Sequence, residues 1–173
     1  MCQENFYDNI VFMEDTAVFE SPIGPLLLTA GPKGLTGVRR ITSAASGNRS
    51  ASPLLEQACL ELTQYFAGER RVFDLPLAAK GSDFQLRIWQ ALRSVPYGET
   101  VSYGRLAEMG GCPGAARAVG GAAHRNPLLI FTPCHRLIGA DGSLTGFACG
   151  LDAKSFLLRL EGAAFKGGTA DQR

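Results

Sequence analysis

The sequence predicts an α/β fold in two parts, a small α/β unit over residues 1–80 and a helical unit over residues 81–173. Three observations predict it. Residues 16–41 consist of short β-type runs separated by turn formers. The second half carries helix-capping signals followed by apolar residues at helical spacing. A glycine- and proline-rich break at 110–114 sits between two short helical stretches, the pattern of a helix-turn-helix.

The amino-terminal part reads as a β-meander. TAVFE, PLLLTA and LTGVRRI are the three runs, parted by Ser21-Pro22-Ile23-Gly24 and Gly31-Pro32-Lys33-Gly34. Residues 42–52, rich in Ser, Ala, Gly and Asn, read as a surface loop. A helix is then expected from Pro53 with Ser52 as its N-cap, burying Leu55, Cys59, Leu62 and Phe66 and ending near Gly68. Residues 71–75 are expected to return as a strand.

In the second half, Ser82 and Gln85 have capping-box spacing and open a helix whose apolar face is Phe84, Ile88, Trp89 and Leu92. Trp89 is therefore expected as a core anchor. Ser102 is the expected N-cap of a short helix from Tyr103 to Met109. After the break, a helix of alanines and glycines runs to Ala123 and stops at Asn126-Pro127. Its two interior glycines each cost about 1 kcal/mol relative to alanine. Such a thin helix suits the DNA minor groove, only about 6 Å wide; tight packing against a neighbouring element would explain it equally well.

Composition excludes several classes. Of 173 residues, 46% are hydrophobic and 19% charged, as in an ordinary soluble protein. The longest apolar runs fall far short of the roughly 18 residues a membrane span needs, so no membrane partner is expected. The first residues have neither a basic nor an apolar signal region, so no signal peptide is expected. Five cysteines (Cys2, Cys59, Cys112, Cys134 and Cys149) without any CxxC pair argue against a disulfide framework or structural zinc. Net charge is +1, but residues 109–140 hold no acid while holding Arg117, Arg125, Arg136, His124 and His135. That stretch reads either as a chance gap in a neutral protein or as a basic surface facing phosphate.

Thr132-Pro133-Cys134-His135-Arg136 is the chemical centre. A thiol beside an imidazole and an arginine is an environment that lowers a cysteine pKa and favours thiolate. By itself the dipeptide is also compatible with a buried, inert thiol.

Residues 101–161 resemble the O6-alkylguanine-DNA alkyltransferases, also called methylated-DNA–protein-cysteine methyltransferases. The resemblance rests on Ser102-Tyr103, Ala115-Ala116-Arg117-Ala118-Val119-Gly120, Asn126-Pro127, Pro133-Cys134-His135-Arg136, Gly142-Ser143-Leu144-Thr145-Gly146-Phe147 and Leu157-Leu158-Arg159-Leu160-Glu161-Gly162. It extends weakly through Ser21-Pro22-Ile23-Gly24-Pro25-Leu26 and Tyr65-Phe66-Ala67-Gly68. The resemblance implies a ribonuclease H-like α/β domain followed by a helical domain with a winged helix-turn-helix. It implies single-turnover repair, the alkyl group of O6-alkylguanine or O4-alkylthymine in double-stranded DNA passing to Cys134 after base flipping.

The same resemblance implies residue roles. Cys134, His135 and Glu161 form the catalytic set, with His135 deprotonating the thiol through a water and Glu161 orienting the imidazole. Arg117 fills the stack where the base leaves it, and Tyr103 rotates the nucleotide out and donates to N3 of the guanine. Ser102, Ala116 and Arg125 are expected at the DNA, bound through its minor groove. Asn126 ties the helix-turn-helix to the reactive turn, and Leu137, Thr145, Phe147 and Ala148 are expected around the pocket. No cofactor or metal is implied, and a monomer in the cytoplasm (the nucleus in a eukaryote) is expected. Phe147 replaces the tyrosine of many relatives, and the metal ligands of some have no equivalent here. Alkyltransferase-like proteins that bind without repairing carry tryptophan for the acceptor cysteine, whereas this chain keeps Cys134.

The chemistry agrees with these residue types. Displacing guanine from an alkyl carbon needs a soft nucleophile and a proton donor toward the departing base. Two other readings of the same residues stay open. A cysteine hydrolase would pair Cys134 with His124 or His135 and with Asn126 or Asp141; a non-catalytic winged-helix protein would bind DNA and leave Cys134 unmodified.

Overall fold

The computed structural model describes residues 14–42 and 52–167. Most of the surface loop expected at 42–52 lies outside the described residues. Strands β1 (Asp15–Phe19), β2 (Leu26–Gly31) and β3 (Gly34–Arg40) form an antiparallel meander in the order β1-β2-β3. Ala17, Leu28 and Val38 stand in register across it, and all three are buried. Alternation of buried and half-buried residues along β2 is the pattern of a sheet with one face on a core.

Helix α1 (Pro53–Phe66) covers that face. Proline stands at its first turn, but the Ser52 side chain makes no capping bond. Its buried stripe is Leu55, Ala58, Glu61, Leu62 and Tyr65, so Cys59 and Phe66 are only partly buried. Tyr65 takes the inward position expected of Phe66, and its hydroxyl finds a partner far along the chain, described below.

No strand forms over residues 71–75. Leu35 N–H donates to Pro76 O at 2.9 Å and Ala78 N–H to Leu35 O at 2.8 Å, leaving a single bridge at Leu77. Proline has no N–H to continue a ladder, which confines the pairing to one residue. The preceding stretch is instead tied to α1, where Asp74 N–H donates to the buried Glu61 at 3.1 Å.

Helix α2 (Asp83–Arg93) opens on the expected capping box, with both Ser82–Gln85 bonds formed. Trp89 is 2% exposed and donates its indole N–H to Ala122 O at 2.8 Å, which pins the helix-turn-helix to α2. Strand β4 (Val101–Ser102) leads into α3 (Tyr103–Met109), capped by Ser102 Oγ accepting from Arg105 N–H at 3.2 Å. The turn to α4 (Ala116–His124) uses Gly111 and Gly114 at φ of 69° and 84°, a region where side chains are disfavoured. A one-turn 3-10 helix (Cys134–Arg136) follows, then β5 (Leu137–Ile138), which pairs parallel with β4, and α5 (Leu151–Leu160). Most buried apolar residues from Ala17 to Leu157 form one contiguous core that both halves share, and Ile138, Leu158, Ala163 and Phe165 form a smaller second cluster.

Candidate active site

The segment between α4 and the 3-10 turn is bonded to β3, Val38 N–H donating to Pro127 O at 2.7 Å and Leu129 N–H to Val38 O at 3.1 Å, and one side chain ties it to the reactive turn. Asn126 Oδ1 accepts from Leu128 N–H at 3.0 Å, and its Nδ2 donates to Thr132 O at 2.8 Å and to Cys134 Sγ at 3.2 Å. A single amide thus ties the end of α4 to the reactive turn and to the sulfur itself. Ile130 lies within this segment at φ +73°, a conformation rare for a β-branched residue.

Cys134 is 8% exposed, and burial pushes its thiol upward, against the lowering effects of the Asn126 bond and the nearby Lys154. The resting group is therefore a protonated thiol, not the thiolate expected from its neighbours in sequence. Burial is the main cause, and Arg136 does not offset it because its guanidinium is taken up by Glu161 and Val95. Arg136 is 6% exposed, donates to Glu161 Oε2 at 2.9 Å and Oε1 at 3.0 Å, and gives a third bond to Val95 O. Contrary to the basic-surface reading of the acid-free stretch, it forms no part of such a surface.

His135 is fully buried and meets Glu161 Oε1 through Nε2 at 2.7 Å. Burial lowers the imidazole, and the bond and charge of Glu161 only partly restore it, so the resting ring is neutral. Burial alone would raise the Glu161 carboxyl, but hydrogen bonds and charge from His135 and Arg136 pull it down to about 2. With Glu161 ionised, the shared proton sits on Nε2 and Nδ1 is the basic nitrogen. Nδ1 is buried with no hydrogen-bond partner among the described residues.

Sequence reasoning misses Lys154. Its ammonium is buried and donates to Leu137 O and, at 2.8 Å, to Thr145 O. Burial lowers it to about 8, partly offset by the charge of Cys134. A buried cation near the sulfur stabilises thiolate once it forms. Only its position three residues beyond Leu151 on an amphipathic helix is visible in the sequence, where a lysine reads as solvated.

Cys134 opens into a cavity of about 260 Å³ lined by Tyr103, Gly120, Ala123, His124, Gly146, Phe147 and Ala148. Gly120 faces Tyr103, where a Cβ would stand 3.3 Å from the ring, so this glycine serves close packing. Thr145, expected around the pocket, does not line this cavity; its Oγ1 is 2.7 Å from Tyr103 Oη, so it backs a residue that does. Phe147 meets the His135 ring edge-on at 6.5 Å. Leu137 does not line the cavity; its side chain is core, and its carbonyl holds Lys154. Cys149 faces a separate groove, where Arg40 donates to its carbonyl at 3.1 Å.

Arg117 and Arg125 are exposed on and just beyond α4, Ala116 begins that helix, and Ser102 caps α3. Asp141 is an exposed loop carboxylate taken up by Ser143 and Lys166, which removes it as a partner for either histidine. No group of metal-binding side chains occurs among the described residues, and no helix there is long and apolar enough to cross a membrane.

The fold and site together define a protein that presents a buried thiol, next in sequence to a buried histidine–glutamate pair, beside a helix-turn-helix. Two family models match the chain: the ribonuclease-like domain of 6-O-methylguanine DNA methyltransferase over residues 16–79 and its DNA-binding domain over 83–163. The methylated-DNA–protein-cysteine methyltransferase of Methanosarcina acetivorans is 48% identical over 153 residues, 85% of this chain and 97% of its own. That of Mycobacterium tuberculosis is 47% identical over 82% of this chain and 88% of its own. Crystal structures of the Mycobacterium tuberculosis O6-methylguanine methyltransferase and of Mycobacterium tuberculosis OGT in complex with DNA both superpose with a TM-score of 0.77. Their identities are 45% and 46%, covering 86% and 85% of this chain and 93% and 92% of theirs. The chain belongs to the methylated-DNA–protein-cysteine methyltransferase family.

Proposed function

We propose that this protein repairs O6-alkylguanine in double-stranded DNA, and O4-alkylthymine as a second substrate, by moving the alkyl group irreversibly onto Cys134. The observation that carries this reading is the buried array Cys134, His135 and Glu161 beside a cavity under the helix-turn-helix. DNA is the partner, approached through its minor groove by α4 with Arg117, Arg125, Ala116 and Ser102 against it and the protein acting as a monomer. A division at residue 80 separates the supporting unit from the one that meets DNA.

The mechanism follows from the protonation states. Nδ1 of His135, through a water, takes the thiol proton, and the imidazolium is stabilised by Glu161. The sulfur attacks the alkyl carbon as the bond from that carbon to O6 breaks, and the electron pair leaves with the guanine. Tyr103 can accept from Thr145 Oγ1 while donating its own proton toward N3 of the departing base. Arg117 fills the stack during extrusion, which a base buried in the duplex requires. The product is a thioether that no group near it can hydrolyse, so each molecule reacts once.

The test is mass spectrometry after mixing with duplex carrying O6-methylguanine. One added methyl on the Cys134 peptide is expected. An unmodified peptide alongside retained DNA binding would select the non-catalytic reading, and repeated turnover of an ester would select the hydrolase.

A further inference from the structure

Glu161 is held from both halves of the chain. Tyr65, on α1 of the amino-terminal unit, is fully buried and donates its hydroxyl to Glu161 Oε1 at 2.7 Å across 96 residues of sequence. The same oxygen receives His135 Nε2 at 2.7 Å and Arg136 Nη2 at 3.0 Å. The other oxygen receives Arg136 Nε at 2.9 Å and Gly98 N–H at 3.3 Å. All four of these groups donate to the carboxylate.

The tyrosine ring is aimed by its packing. Phe66, Phe73 and Tyr97 surround it at centroid distances of 5.3, 5.4 and 6.2 Å. Phenylalanine would fill the same space, so the hydroxyl is surplus to the core. Burial first, and then the Glu161 charge, hold the phenol well above its ordinary value, and it stays a donor throughout the working range.

We propose that Tyr65 is a positioning residue of the relay: its hydroxyl holds Glu161 in line with His135 and draws off part of the carboxylate's charge. The amino-terminal unit thereby sets the basicity of the imidazole. This rests on reading His135 and Glu161 as the relay. A carboxylate that gave its full charge to His135 would retain the imidazolium too firmly. The base would then be blocked by a proton already at mildly acidic pH. Burial keeps His135 neutral at rest, and sharing the charge among Tyr65, Arg136 and the Gly98 amide limits how far Glu161 raises it. The other titratable or charged groups facing the cluster are Lys154 from α5, Cys134 and Tyr97, and the Tyr65→Phe substitution leaves all of them in place.

The chain has two histidines, so the His135 imidazole can be followed by NMR in the full-length protein, with His124→Gln giving the assignment. In Tyr65→Phe the His135 titration should move upward by about half a unit to one unit, roughly a three- to tenfold gain in proton affinity. The acidic limb of methyl transfer should move with it, and duplex affinity should not change. In a Glu161→Gln background the same substitution should leave His135 where it is. An unmoved titration and acidic limb would overturn the proposal. An equal shift in the Glu161→Gln background would overturn it too, since the effect would not run through the carboxylate. Should Tyr65→Phe fail to fold, 3-fluorotyrosine placed at position 65 is a stronger donor and should lower the His135 titration; no change would count against the proposal. Wild-type protein that accepts no methyl group would remove the repair reading while leaving the titration result intact.

Discussion

The two sides of the cavity are built on opposite principles. On one side, the reactive turn is over-determined: Asn126 spans from Leu128 to the sulfur, and Glu161 is bonded by His135, Arg136, Tyr65 and the Gly98 amide. On the other, α4 is thin, presents Arg117 and Arg125 to solvent, and buries only Val119, Ala122 and Ala123. Nucleophile geometry tolerates little displacement, since about 1 Å of misplacement can cost a hundredfold in rate. On the proposed reading α4 approaches a duplex of any sequence, which needs access and suits side chains that are few and small. Chemistry should therefore fail when the first side is touched, and substrate handling when the second is.

The largest effect should come from Glu161→Gln. General acid–base help is worth about 10²–10⁴-fold, so methyl transfer should slow by about that range, with its pH dependence displaced upward as thiolate forms only by direct ionisation. DNA affinity, measured by anisotropy, should stay as it was; an unchanged pH–rate profile would make Glu161 a structural charge. The same carboxyl, held at about 2 in the folded protein, binds fewer protons there than when unfolded. Its stabilisation is accordingly present above the ordinary glutamate value near pH 4.3 and lost as pH falls toward 2.

Arg117→Ala acts on the other side. Repair of duplex substrate should slow by about 10- to 100-fold, a loss of about 1.4–2.7 kcal/mol in the barrier. Reaction with the free modified base, which needs no extrusion, should be nearly unaffected. Equal losses on both substrates would deny Arg117 a role in flipping.

These contrasts match what can be read from sequence. The meander, the Ser82–Gln85 capping box, the Ser102 cap and the glycine turn are local patterns, and all appear where expected. The strand at 71–75 does not, because Pro76 limits pairing to one residue, a constraint that residue propensities alone understate. Cys134, His135 and Glu161 are legible through a motif, whereas Arg136 reads as facing outward and Lys154 as solvated. Their true partners, Glu161, Val95 and the carbonyls of Leu137 and Thr145, come together only in the folded chain. Tyr65 lies in a helix with no chemical signature, 96 residues from the carboxylate it holds.

Thr145 is bonded to Tyr103, which lines the cavity, and its neighbours Gly146 and Phe147 line it too. The threonine is stiff at χ1 and further pinned by Tyr103, so it should crowd a benzyl ring more than a methyl group. Overpacking of about 1–3 kcal/mol predicts that Thr145→Gly reacts with free O6-benzylguanine roughly ten- to a hundredfold faster than wild type. Equal second-order inactivation rates would clear Thr145 of that role. The smallest expected effect is on salt dependence. With few cations on the α4 face, log affinity against log salt should fall with a shallow slope, corresponding to about 2–5 displaced phosphate counterions. A much steeper slope would mean that a larger basic surface than Arg117 and Arg125 meets the DNA.

The most direct test of the account counts methyl groups. Protein titrated with an excess of duplex carrying labelled O6-methylguanine should take up methyl to a plateau of one per molecule, all of it on Cys134. Cys134→Ser should take up none while binding the duplex as wild type does. A plateau well above one with unmodified protein recovered, or label retained by Cys134→Ser, would contradict stoichiometric transfer to this thiol.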